Sequence, residues 1–257
     1  MGKHRHWNRL PYYLRAFQAI AEQNDLNFSF VGRHSLEIGA GQVLGFAPFA
    51  IVEGAAAVSV LDPAYVELRE NQNFQRQYLY PLYCMHSRLS GTVGPRDFES
   101  FMDRIMRIEA RACGLEQLAP SPERYDLVLS KSCLAYLPDV DRAVDACYDA
   151  STAGSLHFHY IDFTPLNAQD ISGMPFGTMY QQSRDSNPLY LKNPRGELNL
   201  LRASDFIAAF RRRFRQVHFS VLTDCRAEKP PNGMHSDWAP YSAEDLNTAN
   251  GVLLAVK

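Results

Sequence analysis

Short apolar segments that alternate with helical segments constrain the fold of this chain most strongly. From Ser35 onward, strand-like runs such as 57–61 and 125–130 are separated by amphipathic stretches such as 139–150. This order is typical of an α/β protein, in which crossover helices cover both faces of a mostly parallel sheet. In such sheets ligands bind at the carboxyl ends of the strands. Chemistry is therefore expected in the loops that follow the strands.

The periodicity predicts seven strands and six main helices. The predicted strands are 35–38, 57–61, 107–113, 125–130, 155–163, 216–222 and 251–256. The predicted helices are 10–22, 43–52, 64–71, 98–107, 139–150 and 204–213. Residues 73–94 and 164–196 are predicted as loops. We expect a single domain over 1–257, with an N-terminal helical cap at about 1–30 and lid-like insertions at about 73–96 and 164–200.

Composition narrows the possible partners and the compartment. The net charge of the 257 residues is −2, which offers no broad electrostatic footprint for nucleic acid or an anionic membrane. The apolar run 43–61 is broken by Pro48 and Gly54 and does not predict a membrane span. Five scattered cysteines without CxxC spacing indicate reduced thiols and no zinc site. We therefore expect a cytoplasmic protein with no nucleic-acid or membrane partner.

A glycine turn with the sequence LEIGAG (residues 36–41) ends the first predicted strand. Gly39 and Gly41 permit a sharp turn and a close approach of the backbone to a ligand. The helix predicted next would offer free N–H groups to a ligand carboxylate or phosphate. Glu37 would repel a pyrophosphate and attract an ammonium group. The turn thus favours a ligand with neighbouring ammonium and carboxylate groups, and an ordinary turn without a ligand is the alternative.

Asp62 ends the second predicted strand, 21 residues after Gly41. This spacing suits a carboxylate that accepts hydrogen bonds from both hydroxyls of a ribose. Alternatively, Asp62 caps a helix that begins at Ala64. The turn and Asp62 occur on consecutive strand–helix units, and we interpret them as two parts of one nucleoside site.

Four segments together resemble the class I (Rossmann-like) S-adenosylmethionine-dependent methyltransferases of small-molecule type. They are similar to the family's E-x-G-x-G motif, its second strand with the ribose-binding acid, its D-L-V…S…L-x-x-L-x-D stretch and its late N-x-L-R-x-S-D segment. In this sequence they are residues 36–41, 58–62, 125–140 and 198–206. The likeness runs from about Ser35 to the C-terminus and is poor over 73–105 and 164–196.

Two positions depart from the family's pattern. Val43 stands where a third glycine is usual, and Gly45 follows two residues later. Ala112 and Cys113 stand where an acid often follows the third strand. The resemblance then implies that backbone amides and apolar packing recognise the adenine.

The resemblance implies a Rossmann-like fold and S-adenosyl-L-methionine as the cofactor. Glu37 would serve the methionine ammonium, the two glycines its carboxylate side, and Asp62 the ribose, while 130–133 would flank the site of methyl transfer. The predicted cofactor-binding residues are Glu37, Gly39, Ala40, Gly41, Asp62, Pro63, Cys113, Ser130, Lys131, Ser132 and Tyr13.

His159 and Asp162 are the predicted catalytic residues, because they lie near the carboxyl end of the strand 155–163. A period of two places them on opposite faces of that strand, so they are not expected to act as a pair. Alternatively, His157 and His159 are core histidines. The same run also matches an H-x-H-x-x-D metal pattern, but no second ligand cluster accompanies it and we predict no metal site.

Two further groups have a functional and a structural interpretation. Tyr13, with Trp7 and Tyr12, would close over the cofactor through cation–π attraction to the sulfonium, or belongs to an amphipathic helix that packs on the sheet. Arg202 would bind a substrate carboxylate or cap a helix, and we favour the cap.

The predicted function is methyl transfer to an oxygen or nitrogen atom of a small-molecule acceptor, and a homodimer is compatible with it. The alternatives are an NAD(P)-dependent Rossmann oxidoreductase and a non-catalytic cofactor-binding relative.

Overall fold

The fold is built on a seven-stranded mixed sheet in a computed structural model that describes residues 10–87, 94–117, 124–164, 177–184, 198–224 and 233–257. The strands are β1 (His34–Ile38), β2 (Ala57–Leu61), β3 (Glu109–Arg111), β4 (Tyr125–Lys131), β5 (Ser151–Asp162), β6 (Gln216–Asp224) and β7 (Thr248–Val256). Their order across the sheet is β3-β2-β1-β4-β5-β7-β6, and β7 runs in the direction opposite to the other six strands. The predicted α/β fold with a mostly parallel seven-stranded sheet is confirmed.

Helices cover both faces of the sheet. They are α1 (Leu10–Gln23), α2 (Ala47–Val52), α3 (Gln72–Phe74), α4 (Tyr80–His86), α5 (Phe98–Met106), α6 (Val140–Asp149), α7 (Gly177–Tyr180), α8 (Ala203–Arg211) and α9 (Ala243–Asn247). None of the helices in the described ranges is both long and apolar enough to cross a membrane.

Alternating side chains of the strands enter two separate cores. Leu127 and Leu129 of β4 belong to a core shared with Phe17 of α1. Val128, between them, belongs to a core shared with Val144 of α6. We call these two sides of the sheet the α1 face and the α6 face.

The carboxyl ends of β1, β2, β4 and β5 meet at one edge of the sheet, which we call the site edge. Ile38 pairs with Leu61 of β2 and with Ser130 of β4, and Lys131 pairs with Tyr160 of β5. Because β7 is antiparallel, its amino end reaches the same edge. The glycine turn and Asp62 therefore lie close together, as the sequence predicts.

All the predicted strands occur, but three predictions for the segments between the strands are wrong. Residues 64–71 form no helix, because Asp62 holds Ala64 in a turn of its own. The predicted loop at 73–94 contains α3, a π-helical turn (Gln75–Leu79) and α4. The predicted helix 43–52 begins only at Ala47, after left-handed residues at Leu44 and Gly45.

The described part of the first insertion belongs to the core. Tyr78, Leu79 and Leu82 are buried on the α1 face, where their segment contacts α2 and α5. Most of the second insertion and Trp7 lie outside the described residues. That the insertions shape an acceptor site remains a prediction.

Candidate functional site

The turn after β1 is tightly packed at Gly39 and open at Gly41. Gly39 has a φ of 75°, its N–H donates to the carbonyl of Leu61 at 2.8 Å, and a Cβ there would overlap the side chain of Cys133. Gly41 has a φ of 70°, and no atom lies within 4 Å of the position that its Cβ would take. The left-handed backbone favours glycine at both positions. The space beside Gly41 is open.

The Asp62 carboxylate joins this turn to the end of β2. Its Oδ2 accepts the N–H of Gly41 at 2.7 Å, and its Oδ1 accepts the N–H of Ala64 at 2.7 Å. A carboxylate has about four acceptor positions, so both oxygens keep capacity for a ribose hydroxyl. Capping of Ala64 and binding of a ribose are therefore compatible. Pro63, beside it, is exposed.

Glu37 lies beneath the turn and contacts the backbone that follows it. Its side chain is buried, and its Oε2 accepts the N–H of Phe46 at 2.6 Å. A Cβ at Gly45 would overlap this carboxylate, so glycine makes room for it. The N-terminus of α2 therefore meets Glu37 in place of a ligand carboxylate. A carboxylate has about four acceptor positions, so the contact of Glu37 with a ligand ammonium remains a prediction.

The site edge carries two interacting carboxyl groups. Burial, with a smaller contribution from the negative charge of Asp62, raises the pKa of Glu37 to about 8 against the opposing effects of the Phe46 N–H and the positive charge of Lys131. Glu37 therefore titrates near neutral pH. A cationic ligand at this edge would favour its ionised form.

The last two residues of β4, Ser130 and Lys131, lie on opposite faces of the sheet, and Ser132 follows them. Ser130 is fully buried on the α6 face, and its Oγ lies 2.8 Å from Nδ1 of His159. Lys131 lies on the α1 face, with its Nζ 5.0 Å from the centre of the Tyr13 ring. Ser132 has a φ of 52° and donates its N–H to the carbonyl of Tyr160 at 2.8 Å. Of the three predicted cofactor residues, Lys131 faces the α1 side and Ser130 faces away from it.

Aromatic rings from α1 and β5 meet beside Lys131. The rings of Tyr13 and Tyr160 lie 4.6 Å apart between centroids. Burial raises the pKa of Tyr160 well above its usual value, so its phenol stays protonated. Asp162, at the end of β5, accepts the N–H of Thr164 at 3.0 Å and also its hydroxyl. Tyr13 and Asp162 are thus brought to the site edge, and their functional roles remain predictions.

His159 lies in the core of the α6 face, and this position argues against its predicted catalytic role. It is fully buried, and its ring faces Phe210 of α8 at 5.1 Å between centroids. His157 is also fully buried and faces Phe214 at 4.6 Å. Burial lowers the pKa of His159 to about 3 and that of His157 well below its usual range. Both are core histidines, the alternative that the sequence left open.

The described part of the chain contains no group of three or more His, Cys, Asp or Glu side chains arranged to hold a metal ion. Cys113 is partly buried and packs against the core of the α6 face. Its predicted contact with adenine is not tested by this packing.

Arg202 has a structural role. Its side chain is 1% exposed, and its guanidinium donates to the carbonyls of Asp245, Leu246 and Thr248 at 2.8, 3.2 and 2.6 Å. Its own N–H donates to Asp205 at the start of α8, at 2.8 Å. These contacts support the cap interpretation and leave no room for a substrate carboxylate.

Sequence reasoning missed two residues of the site. Gly45 is required by Glu37, and the signal was the displaced glycine two residues after Val43. Tyr160 contacts Tyr13 and lies two residues before Asp162, hence on the same face of β5. Neither residue carries a motif of its own.

No protein-family model and no curated protein matches this sequence. Solved structures do resemble it. An S-adenosylmethionine-dependent methyltransferase from Mesorhizobium loti has 14% identity and a TM-score of 0.51, with 95% of this chain and 100% of that chain covered. A phosphoethanolamine N-methyltransferase 2 from Haemonchus contortus, solved with phosphomonomethylethanolamine and S-adenosylhomocysteine, has 15% identity and a TM-score of 0.53. That match covers 98% of this chain and 53% of that chain, so this chain spans about half its length.

At these identities the likeness establishes the fold. The chain has the Rossmann-like fold of class I S-adenosylmethionine-dependent methyltransferases, as the resemblance in its motifs predicts.

Proposed function

We propose that the chain is an S-adenosylmethionine-dependent methyltransferase that methylates an oxygen or nitrogen atom of a small molecule. The hydrogen bond from Gly41 to Asp62 carries this proposal, because it joins the open glycine turn and the strand-end carboxylate into one unit. A turn that a ligand can approach, next to an acceptor for ribose hydroxyls, suits a nucleoside with an aliphatic extension.

The residues present fit that cofactor. The space beside Gly41 would take its methionine part, Asp62 its ribose, and Tyr13 would attract its sulfonium by about 0.5–2 kcal/mol. When bound, the cofactor supplies a methyl group on a positively charged sulfur. The chain's own task is to hold an acceptor atom in line with that methyl, and such alignment contributes about 7–11 kcal/mol to lowering the barrier.

The sheet order argues against an NAD(P)-dependent oxidoreductase. Dinucleotide-binding folds have the order 3-2-1-4-5-6 in a mostly parallel sheet. Here antiparallel β7 is inserted between β5 and β6. The turn also lacks G-x-G-x-x-G spacing, and the carboxyl groups of Glu37 and Asp62 would disfavour a pyrophosphate.

A cofactor-binding relative without turnover is a second candidate, and the burial of His159 favours it. With that residue in the core, Asp162 is the remaining predicted catalytic group at the site edge. An acceptor that needs no deprotonation would still react without a base.

Charge and composition support a small-molecule acceptor. A net charge of −2 provides no broad basic surface for nucleic acid. The four described cysteines are free thiols, which supports a cytoplasmic location. We extend the proposal to a cytoplasmic enzyme, compatible with a homodimer, that acts without a nucleic-acid or membrane partner.

Ligand binding tests the proposal directly. S-adenosylhomocysteine should raise the melting temperature, since a ligand that binds the native state stabilises it by RT ln(1 + [L]/Kd). Stabilisation by NADH and not by S-adenosylhomocysteine would select the oxidoreductase. Binding without methyl transfer from labelled cofactor to any member of a broad acceptor library would select the non-catalytic relative.

Asp62→Ala should weaken binding of S-adenosylhomocysteine more than tenfold, because the ribose loses a charged acceptor worth about 1.5–3 kcal/mol. Asp103→Ala is the matched control, since it removes an exposed carboxylate from α5. Isothermal titration calorimetry measures both variants. Equal affinity in D62A and D103A would remove the ribose assignment.

A further inference from the structure

Lys131 stands between the glycine turn and the tyrosine pair. It is the last residue of β4, directly after Ser130, which pairs with Ile38 at the start of the turn. On its other side Lys131 pairs with Tyr160 of β5. Neighbouring strands lie about 4.8 Å apart, so the backbone of Lys131 is one strand spacing from the end of β1.

The side chain of Lys131 lies on the α1 face, as Glu37 does. Leu127 and Leu129 enter the core of that face, and Lys131 continues their alternation. Its ammonium contacts the ring of Tyr13, a residue of α1. Its positive charge also acts on the Glu37 carboxyl, which places the two groups within electrostatic range.

Other partners predicted for a ligand carboxylate are occupied in the described structure. The N-terminus of α2 contacts Glu37 through the N–H of Phe46. The guanidinium of Arg202 is buried among backbone carbonyls. An amino-acid group that enters beside Gly41 would carry its carboxylate into a region that already holds the Asp62 carboxylate. A cation is needed there to offset that repulsion.

We propose that Lys131 binds the carboxylate of the cofactor's methionine portion and so selects for a complete amino-acid tail. This assignment rests on the proposed function, because it presupposes an adenosyl ligand in the pocket. A lysine ammonium has three donors and a flexible stem, so it can bind a carboxylate beside the ring of Tyr13.

A ligand that lacks only the carboxylate tests the assignment. Decarboxylated S-adenosylmethionine keeps the adenosine, the sulfonium and the ammonium. Calorimetry should measure the Kd of both ligands for the wild type, for Lys131→Met and for Lys131→Arg. We expect K131M to bind S-adenosylmethionine about 10- to 100-fold more weakly, the usual effect of losing a charge-assisted hydrogen bond. Its affinity for the decarboxylated ligand should stay within about twofold of the wild type or increase, because a positive charge has been removed.

Two controls separate this effect from general ones. K131R retains the charge and should keep the preference for the complete cofactor. Arg15→Met removes a positive charge from the exposed surface of α1 and should leave both affinities unchanged. Lys131→Gln provides a second uncharged variant should K131M fail to fold.

The outcomes are distinct. An equal loss for both ligands in K131M would overturn the assignment, because Lys131 would then support the nucleoside pocket or the fold. Unchanged binding of both ligands, with loss of methyl transfer only, would assign the lysine to an anionic acceptor and also overturn it. If the wild type binds neither ligand, the proposed function itself fails. If the wild type binds both ligands equally, only the carboxylate assignment fails.

Discussion

The two core histidines predict a specific sensitivity to acid. His157 and His159 are fully buried against Phe214 and Phe210, and burial holds both pKa values below the usual 6.5. The unfolded chain takes up their protons as the pH falls below 6.5, and the folded chain does not. Their contribution to stability is therefore complete above pH 6.5 and is lost as the pH falls toward the folded pKa, which is about 3 for His159.

The size of the loss follows from proton linkage. Each histidine that stays neutral in the fold costs about 1.4 kcal/mol of unfolding free energy between pH 7.5 and 5.5. The two histidines together then lower the free energy of unfolding by about 3 kcal/mol, a large share of the 5–15 kcal/mol that is typical of a folded protein. For a chain of this size that corresponds to roughly 6–12 °C in melting temperature.

Glu37 changes the stability with pH in the opposite direction, and its contribution must be separated from that of the histidines. Its pKa is raised to about 8 in the fold, so lowering the pH toward 4.5 relieves a penalty and adds stability. A comparison between variants that all retain Glu37 removes this contribution.

The assay is urea unfolding at pH 7.5 and 5.5 for the wild type and for H157Q/H159Q. The double variant should show a pH-dependent loss smaller than that of the wild type by about 3 kcal/mol, and each single variant by about half of that. His218→Gln, at an exposed position of β6, serves as the control for removal of an imidazole. If H157Q/H159Q and the wild type lose the same free energy over this range, the reasoning from burial is refuted.

Two further substitutions test the backbone of the site. Gly45→Ala should destabilise the protein by about 2–4 kcal/mol in urea unfolding, because a Cβ would overlap Glu37 and φ is +46°. Gly32→Ala, with a φ of +70° and open space around its Cβ, should cost only about 1–2 kcal/mol, and equal losses would contradict the overlap. Ser132→Gly should raise the melting temperature by relieving a left-handed φ of 52°, a gain of up to about 1 kcal/mol after the entropy of glycine is counted. A lower melting temperature for S132G would show that the serine side chain contributes more than the strain costs.

The strands could be predicted because buried strands are short apolar segments that the local sequence shows directly. Residues 125–130 are apolar and bounded by polar residues, and β4 begins at Tyr125 as expected. The glycine turn and Asp62 could be paired from their spacing, because consecutive parallel strands bring their carboxyl ends together. The hydrogen bond between them confirms this placement.

Helix boundaries and burial at the site depended on contacts distant in sequence. Residues 64–71 have helical character, but the Asp62 carboxylate holds Ala64 in a turn. The helical segment after Asn71 begins where that side chain accepts the N–H of Phe74, a cap that the aromatic composition obscured. His159 lies in the core of the α6 face, where it contacts Ser130 and Phe210. Neither of these residues is adjacent to it in the chain.

The inversion of β7 has a consequence for assembly of the sheet. β7 follows β6 in the chain, yet it lies between β5 and β6 and pairs with both. β6 therefore has no sheet partner until β7 arrives, whereas β1, β2 and β4 can align without it. During synthesis on the ribosome, the half of the sheet that carries the glycine turn can form early, while β6 remains unpaired until β7 has been made. Shortening the chain within β7 would leave two strands exposed along their full length, and we expect aggregation as the result.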